Sequence, residues 1–206
     1  MKEIFRLCFV LTVISAVSAG VLAFVNQKTK EPIENSFREE KMKAVRAVLP
    51  EFDNEPDKDT VTLELENQAP LTLYIGRKGG SIVGAAFPVT APDGYSGDIE
   101  IMVGVDTAGV VRGVEILRHL ETPGLGAKIV EAGFREQFEN MDLEDKWAVE
   151  KDGGGIKQIT GATISSRAVT HAIARGLELF RDRKDEILGY VEDPESGAGK
   201  TGEGSQ

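Results

Sequence analysis

The chain has 206 residues, enough for one domain of ordinary size with appendages, and apolar side chains make up 41% of it. Its 34 acidic residues outnumber 24 basic ones, leaving a net charge of -10. That balance excludes the basic face a phosphate-backbone binder needs, so no nucleic-acid partner is expected, and a single cysteine, Cys8, excludes a disulfide framework and a cysteine metal cluster.

Leu7 to Val25 is an uncharged, largely apolar run, preceded by Lys2 and Arg6 and followed by Lys28 and Lys30. A helix of about 20 such residues spans a bilayer. The competing reading is a cleaved signal peptide, with Val17, Ser18 and Ala19 as small residues for a peptidase. The apolar run continues past that point through "GVLAFV", so residues 1–30 are expected to be a retained, single-pass anchor in the cytoplasmic membrane, in contact with lipid. Cations balance on its two sides; the very short leader favours an N-terminus inside and the remaining chain on the extracytoplasmic side.

Residues 31–59 read as a linker helix and an acidic loop. Ile33, Phe37, Ala44, Val45, Val48 and Leu49 recur at helical spacing up to Pro50. A strand is expected at Thr60 to Leu65. "LTLYIGRKGGSIVGAAFPV" and "IEIMVGVDTAGVVRGVEIL" each place a glycine-containing polar turn, at Arg77 to Gly80 and at Asp106 to Gly109, between two runs rich in β-branched residues. Both predict β-hairpins. A helix is expected from Gly126 to Glu139 with Ile129, Val130, Phe134 and Phe138 on one face, then a short strand at Trp147 to Val149 and a turn at "DGGG". The last helix carries Val169, Ala172, Ile173, Leu177 and Phe180 on one face. The fold class is therefore α+β: one transmembrane helix, then a mainly antiparallel sheet packed with helices over residues 60–191. The small, polar residues 192–206 are expected to be disordered. "GAGKT" at Gly197 to Thr201 is a decoy for a phosphate loop, because Pro194 stands where that motif begins with glycine.

"QITGATISSRAVTHAI" gathers Thr160, Thr163, Ser165 and Ser166 at the start of the last helix. Hydroxyls there are ordinary helix caps. A helix N-terminus with free N–H groups also suits an anion, and Gly161 and Ala162 leave little side chain in the way. A nucleophilic threonine needs a base within reach. His171, two turns beyond Thr163, lies about 12 Å along the axis, so it and His119 read as surface or packing residues.

"TGATISS", Thr160 to Ser166, resembles the flavinylation motif of FMN-binding domains, in which the threonine after Gly-Ala carries FMN through a phosphoester. "GYSGDIEIMVGVDTAGVVRGVEILRHLETPGLGAKI", Gly94 to Ile129, is similar to the second signature of those domains. Two separated signatures in order, behind an anchor, resemble most closely the G subunits of Rnf-type ion-translocating electron-transport complexes, in which electrons pass between ferredoxin and NAD. The resemblance implies FMN joined covalently to Thr163 by a separate flavin transferase. It implies further cofactor contacts from Thr160, Gly161, Ala162 and Ile164, and from Glu121, Thr122, Gly124 and Leu125 against the isoalloxazine ring. Lys157 stands where related domains carry an acid; it either neutralises the flavin phosphate or is a solvated turn residue.

The implied role is electron relay among other membrane and redox subunits, with no self-contained catalytic site and no metal. No Gly-x-Gly-x-x-Gly follows a strand. The alternatives are the C subunit of the Na⁺-translocating NADH:quinone reductase, which is usually longer, and an anchored anion-binding or assembly module without a redox cofactor.

Overall fold

A computed structural model describes residues 2–65 and 70–189, with only the backbone of 31–35. The expected tail, 192–206, and the glycine-rich decoy within it lie outside the described residues. Two compact units divide between Lys41 and Met42.

Helix α1, Lys2–Val48, begins as the apolar run requires. Its segment Lys2–Lys30 has a mean hydropathy of 2.4 and none of it is buried against protein. It is long and apolar enough to cross a membrane, by length and composition. The turns from Met42 onward belong to the second unit, and Pro50 stands just beyond the helix end.

The second unit is built on one five-stranded antiparallel sheet in sequential order: β1 Thr60–Leu63, β2 Leu71–Lys78, β3 Ser81–Ala91, β4 Ile99–Asp106 and β5 Val111–Arg118. The strand expected to reach Leu65 ends at Leu63. Both hairpins form where the turn residues place them, with Lys78 opposite Ser81. Asp106 closes the second turn by accepting N–H bonds on Oδ1 from Ala108, Gly109 and Val110 at 2.8 to 3.0 Å.

Alternation along β4 sends side chains to two covered faces. Ile99, Ile101, Val103 and Val105 join Val169, Ala172, Ile173 and Leu177 of helix α3, Thr163–Asp182, in the main core. Met102 turns the other way and packs with Ala44, Val45, Val48 and Leu49 from the end of α1. Gly104 and Gly113, paired in register, form the floor under that helix end. A Cβ on Gly104 would lie 2.0 Å from the Val48 carbonyl oxygen, and one on Gly113 2.8 Å from Val48 Cα. Helix backbone meets sheet backbone there because neither glycine has a side chain.

Two expected elements take a different form. The amphipathic helix Gly126–Glu139 is three short turns: 3-10 at Gly126–Val130, a four-residue helix α2 at Ala132–Arg135, and 3-10 again at Glu136–Phe138. Glu131 is extended between the first two, and the Arg135 guanidinium bonds the Val130 and Val114 carbonyls in place of a continuing helical ladder. Gly126 and Gly133 lower the cost of leaving the helix. Ile129, Phe134 and Phe138 still reach the core, whereas Val130 is exposed. The strand expected at Trp147–Val149 is a single parallel bridge, Val149 to Ile156, followed by a 3-10 turn at Glu150–Asp152. Trp147 is held from the side: its Nε1–H donates to the Asp142 carbonyl at 2.7 Å, and its ring stacks on Phe138. A six-residue helix α4, Lys184–Gly189, completes the described chain.

Candidate functional site

A cleft of about 560 Å³ lies where three loops meet the start of α3. That volume is within the range typical of ligand sites.

The first loop is the β3–β4 connection. Tyr95 points outward from it, 69% exposed, and lines the cleft. The second follows β5 and carries Glu121 to Gly126. It turns on itself: the Thr122 carbonyl accepts N–H bonds from Leu125 and Ala127, and Gly124 sits at φ 75°. The third runs into α3. Ala162 N–H closes a turn onto the Ile159 carbonyl at 2.9 Å, Gly161 takes φ 80°, and Thr163 is the first helical residue. A left-handed backbone at 161 favours glycine over any residue with a Cβ. The second and third loops touch, since a Cβ at Gly161 would come 3.2 Å from Leu125 Cδ2.

The hydroxyls divide their work differently from simple caps. No side chain caps α3; Ala162 occupies the cap position. Ser166 is fully buried and binds the incoming loop, accepting from Ile159 N–H at 3.0 Å and donating to the Ala162 carbonyl at 2.9 Å. Ser165 is also buried and donates to Glu121 Oε2 at 2.8 Å, joining residues 44 apart in sequence. Glu121 Oε1 accepts a longer bond, 3.3 Å, from Ser96 N–H. Thr163 is half-buried on the cleft wall, while Thr160 is exposed. The start of the helix therefore faces the cleft without a side-chain cap, where backbone N–H groups and the helix dipole favour an anion.

Of the residues expected at a cofactor site, Glu121, Thr122, Leu125, Gly161, Ala162, Thr163 and Ile164 line this one cleft. Thr160, Gly124 and Lys157 are not among its lining residues. Gly124 shapes the loop. Lys157 is held by its backbone, with its N–H donating to Gln137 Oε1 at 2.8 Å and its carbonyl accepting from Gln137 Nε2, and its side chain is exposed. Gly126, the end of the loop expected against the ring, also lines the cleft, and Tyr95 and Ser165 line it without having been singled out for it. The signal available for Tyr95 was an aromatic residue between Gly94 and Gly97, inside the segment that carries the second signature.

Beside the site, Arg167 of α3 grips Asp152 with two bonds of 2.6 and 2.9 Å, tying the 3-10 turn at Glu150–Asp152 to the helix. Those hydrogen bonds, and then the guanidinium charge, hold the Asp152 carboxyl below its ordinary value. Neither histidine enters the cleft; His119 Nδ1 accepts the Glu121 N–H at 3.2 Å and so helps aim the second loop.

Residues 94–178 match the FMN-binding domain family. The chain is 36% identical over 192 residues to the G subunit of the ion-translocating oxidoreductase complex of Shewanella baltica, covering 87% of this chain and 91% of that protein. It is 38% identical over 184 residues to the G subunit of the same complex in Yersinia pestis, covering 84% and 88%. The crystal structure of the C subunit of the Na⁺-translocating NADH-quinone reductase from Parabacteroides distasonis shares the fold, with a TM-score of 0.55 at 16% identity over 73% of this chain and 96% of that one. With an FMN-binding domain spanning all three cleft loops and relatives matched over nearly their whole length, the chain belongs to the family of G subunits of ion-translocating oxidoreductase complexes.

Proposed function

We propose that this protein relays electrons through an FMN joined to Thr163 Oγ1 by a phosphoester, within a membrane complex that couples ferredoxin:NAD oxidoreduction to ion translocation. Residues 1–30 anchor it, and residues 60–191 form the flavin domain on the extracytoplasmic side, in contact with other membrane and redox subunits. The single observation that carries the reading is the position of Thr163: first residue of an uncapped helix, half-buried on the wall of a cleft large enough for a flavin.

The residues present fit the group. Gly161 and Ala162 leave the approach to Thr163 free of bulky side chains, and the helix N-terminus stabilises the phosphate charge. Tyr95, Leu125 and Ile164 are exposed apolar side chains around the same cleft and suit a flat ring. When bound, FMN supplies one-electron chemistry; the protein supplies orientation and electrostatics. Thr163 Oγ1 would form the ester to phosphorus and lose its proton while a flavin transferase supplies the flavin phosphate from a diphosphate donor, whose P–O–P bond breaks so that the donor's other phosphate departs as the leaving group. Neither histidine lines the cleft, and the Glu121 carboxylate on its wall is engaged by the Ser165 hydroxyl and the Ser96 N–H, which supports delivery of the flavin by a separate transferase. A tether also retains a cofactor that would otherwise be diluted outside the cell interior. Lys157 lies outside the lining and is assigned to solvent in this reading.

The test is retention of flavin through denaturation. The chain, produced with a flavin transferase and run on a denaturing gel, is expected to carry flavin fluorescence, and Thr163→Ala is expected to abolish it. A dark wild-type band beside a labelled control, or a fluorescent Thr163→Ala band, would refute the assignment.

A further inference from the structure

Glu121 is the only charged side chain that is buried among the described residues, at 4% exposure, and it has no ion pair among them. Burial of a carboxylate is costly without compensation. Here it receives only a neutral hydroxyl, from Ser165, and a backbone N–H, from Ser96. It is also wedged in place. A Cβ on Gly126 would lie 2.3 Å from Oε2, and one on Gly94 2.9 Å from Oε1, so the backbone closes on the carboxylate from both sides. A neutral amide would tie the second loop to α3 equally well. The carboxylate therefore places a negative charge on the cleft wall at a cost that loop anchoring alone does not require.

We infer that Glu121 is a tuning residue that lowers the reduction potential of the bound flavin, an inference that rests on the flavin reading above. One electron added to the ring, with no bond made or broken, places negative charge in the cleft that Glu121 already lines. Repulsion in a partly water-excluded site makes that electron less welcome, so the reduced cofactor is a stronger donor. Ser165 tempers the effect by drawing part of the carboxylate charge into its hydrogen bond. Removing the charge and removing the hydroxyl thus act in opposite directions. A merely structural contact would behave otherwise, because either change would loosen the same site in the same way.

The experiment is redox titration of the purified, flavin-bearing full chain, with retained fluorescence on a denaturing gel checked first for every variant. Glu121→Gln is expected to favour reduction by about tenfold, about 59 mV upward for a one-electron couple. Ser165→Ala is expected to move the potential downward. An unmoved or lowered potential in Glu121→Gln overturns the inference, as does an unmoved or raised one in Ser165→Ala. If Glu121→Gln holds no flavin, the direction in Ser165→Ala alone decides. A wild-type chain without retained flavin removes the flavin reading and this inference together; a flavin-bearing wild type with unmoved variants removes the inference alone.

Discussion

Gly126→Ala sets two physical effects of opposite sign against each other. Gly126 opens a 3-10 turn and has no left-handed backbone, so alanine there would restrict the unfolded chain and stabilise the fold by about 0.4–1 kcal/mol if there were room. There is no room. The new Cβ would stand 2.3 Å from Glu121 Oε2 and 2.8 Å from Ser165 Oγ, both nearer than the 3.0 Å below which real Cβ contacts are essentially absent. The carboxylate has little freedom to withdraw, because the side chain is buried and Gly94 stands close to its other oxygen, Oε1. The bond that breaks is a hydroxyl donating to a buried carboxylate at 2.8 Å. Hydrogen bonds to charged groups contribute about 1.5–3 kcal/mol, so the net expectation is destabilisation by roughly 1–2 kcal/mol. Gly133→Ala is the control: nothing lies within 4 Å of its Cβ position, and it sits in α2, so stabilisation by up to about 1 kcal/mol is expected. Urea unfolding followed through Trp147, the single tryptophan, stacked on buried Phe138, reads both variants. A Gly126→Ala protein as stable as the wild type would refute the claim that Glu121 and Ser165 are locked together.

Two other changes probe the loop and the sheet. Ser166→Ala leaves the Ile159 N–H without its acceptor and should lower stability by about 1–3 kcal/mol, with reduced flavin loading as the Ile159–Ala162 turn loosens; unfolding midpoints and in-gel fluorescence measure the two effects. At Asp106, burial pushes the carboxyl up, but the Arg112 guanidinium and the N–H groups of Val110 and Ala108 outweigh it and hold the carboxyl below its ordinary value. A depressed carboxyl stabilises the fold above its unfolded value, and that contribution is lost as pH falls through the folded one. Asp106→Asn should therefore lower stability at neutral pH and flatten the loss of stability below about pH 4, measured as unfolding midpoint against pH.

The hairpins, the apolar N-terminal helix and the amphipathic α3 were legible in the sequence because each is written within a window of a few residues: a turn glycine between β-branched runs, an uncharged stretch, a repeat near 3.6. The threonine after Gly-Ala was legible for the same reason, as a short motif at a helix start. The segment Gly126–Glu139 misled because Ile129, Phe134 and Phe138 do face the core, and three short turns present them as well as one helix would. Burial patterns report which side chains go inside, not whether the backbone between them is continuous. Nothing local marked Ser165 as the partner of Glu121, or Tyr95 as a wall of the cleft. Those roles arise when the sheet brings the β3–β4 connection, the loop after β5 and the start of α3 to one place. Glu121 in particular enters the sequence reading only as a cofactor contact implied by resemblance, and its burial is decided by the tertiary structure, where Gly94 and Gly126 approach its carboxylate.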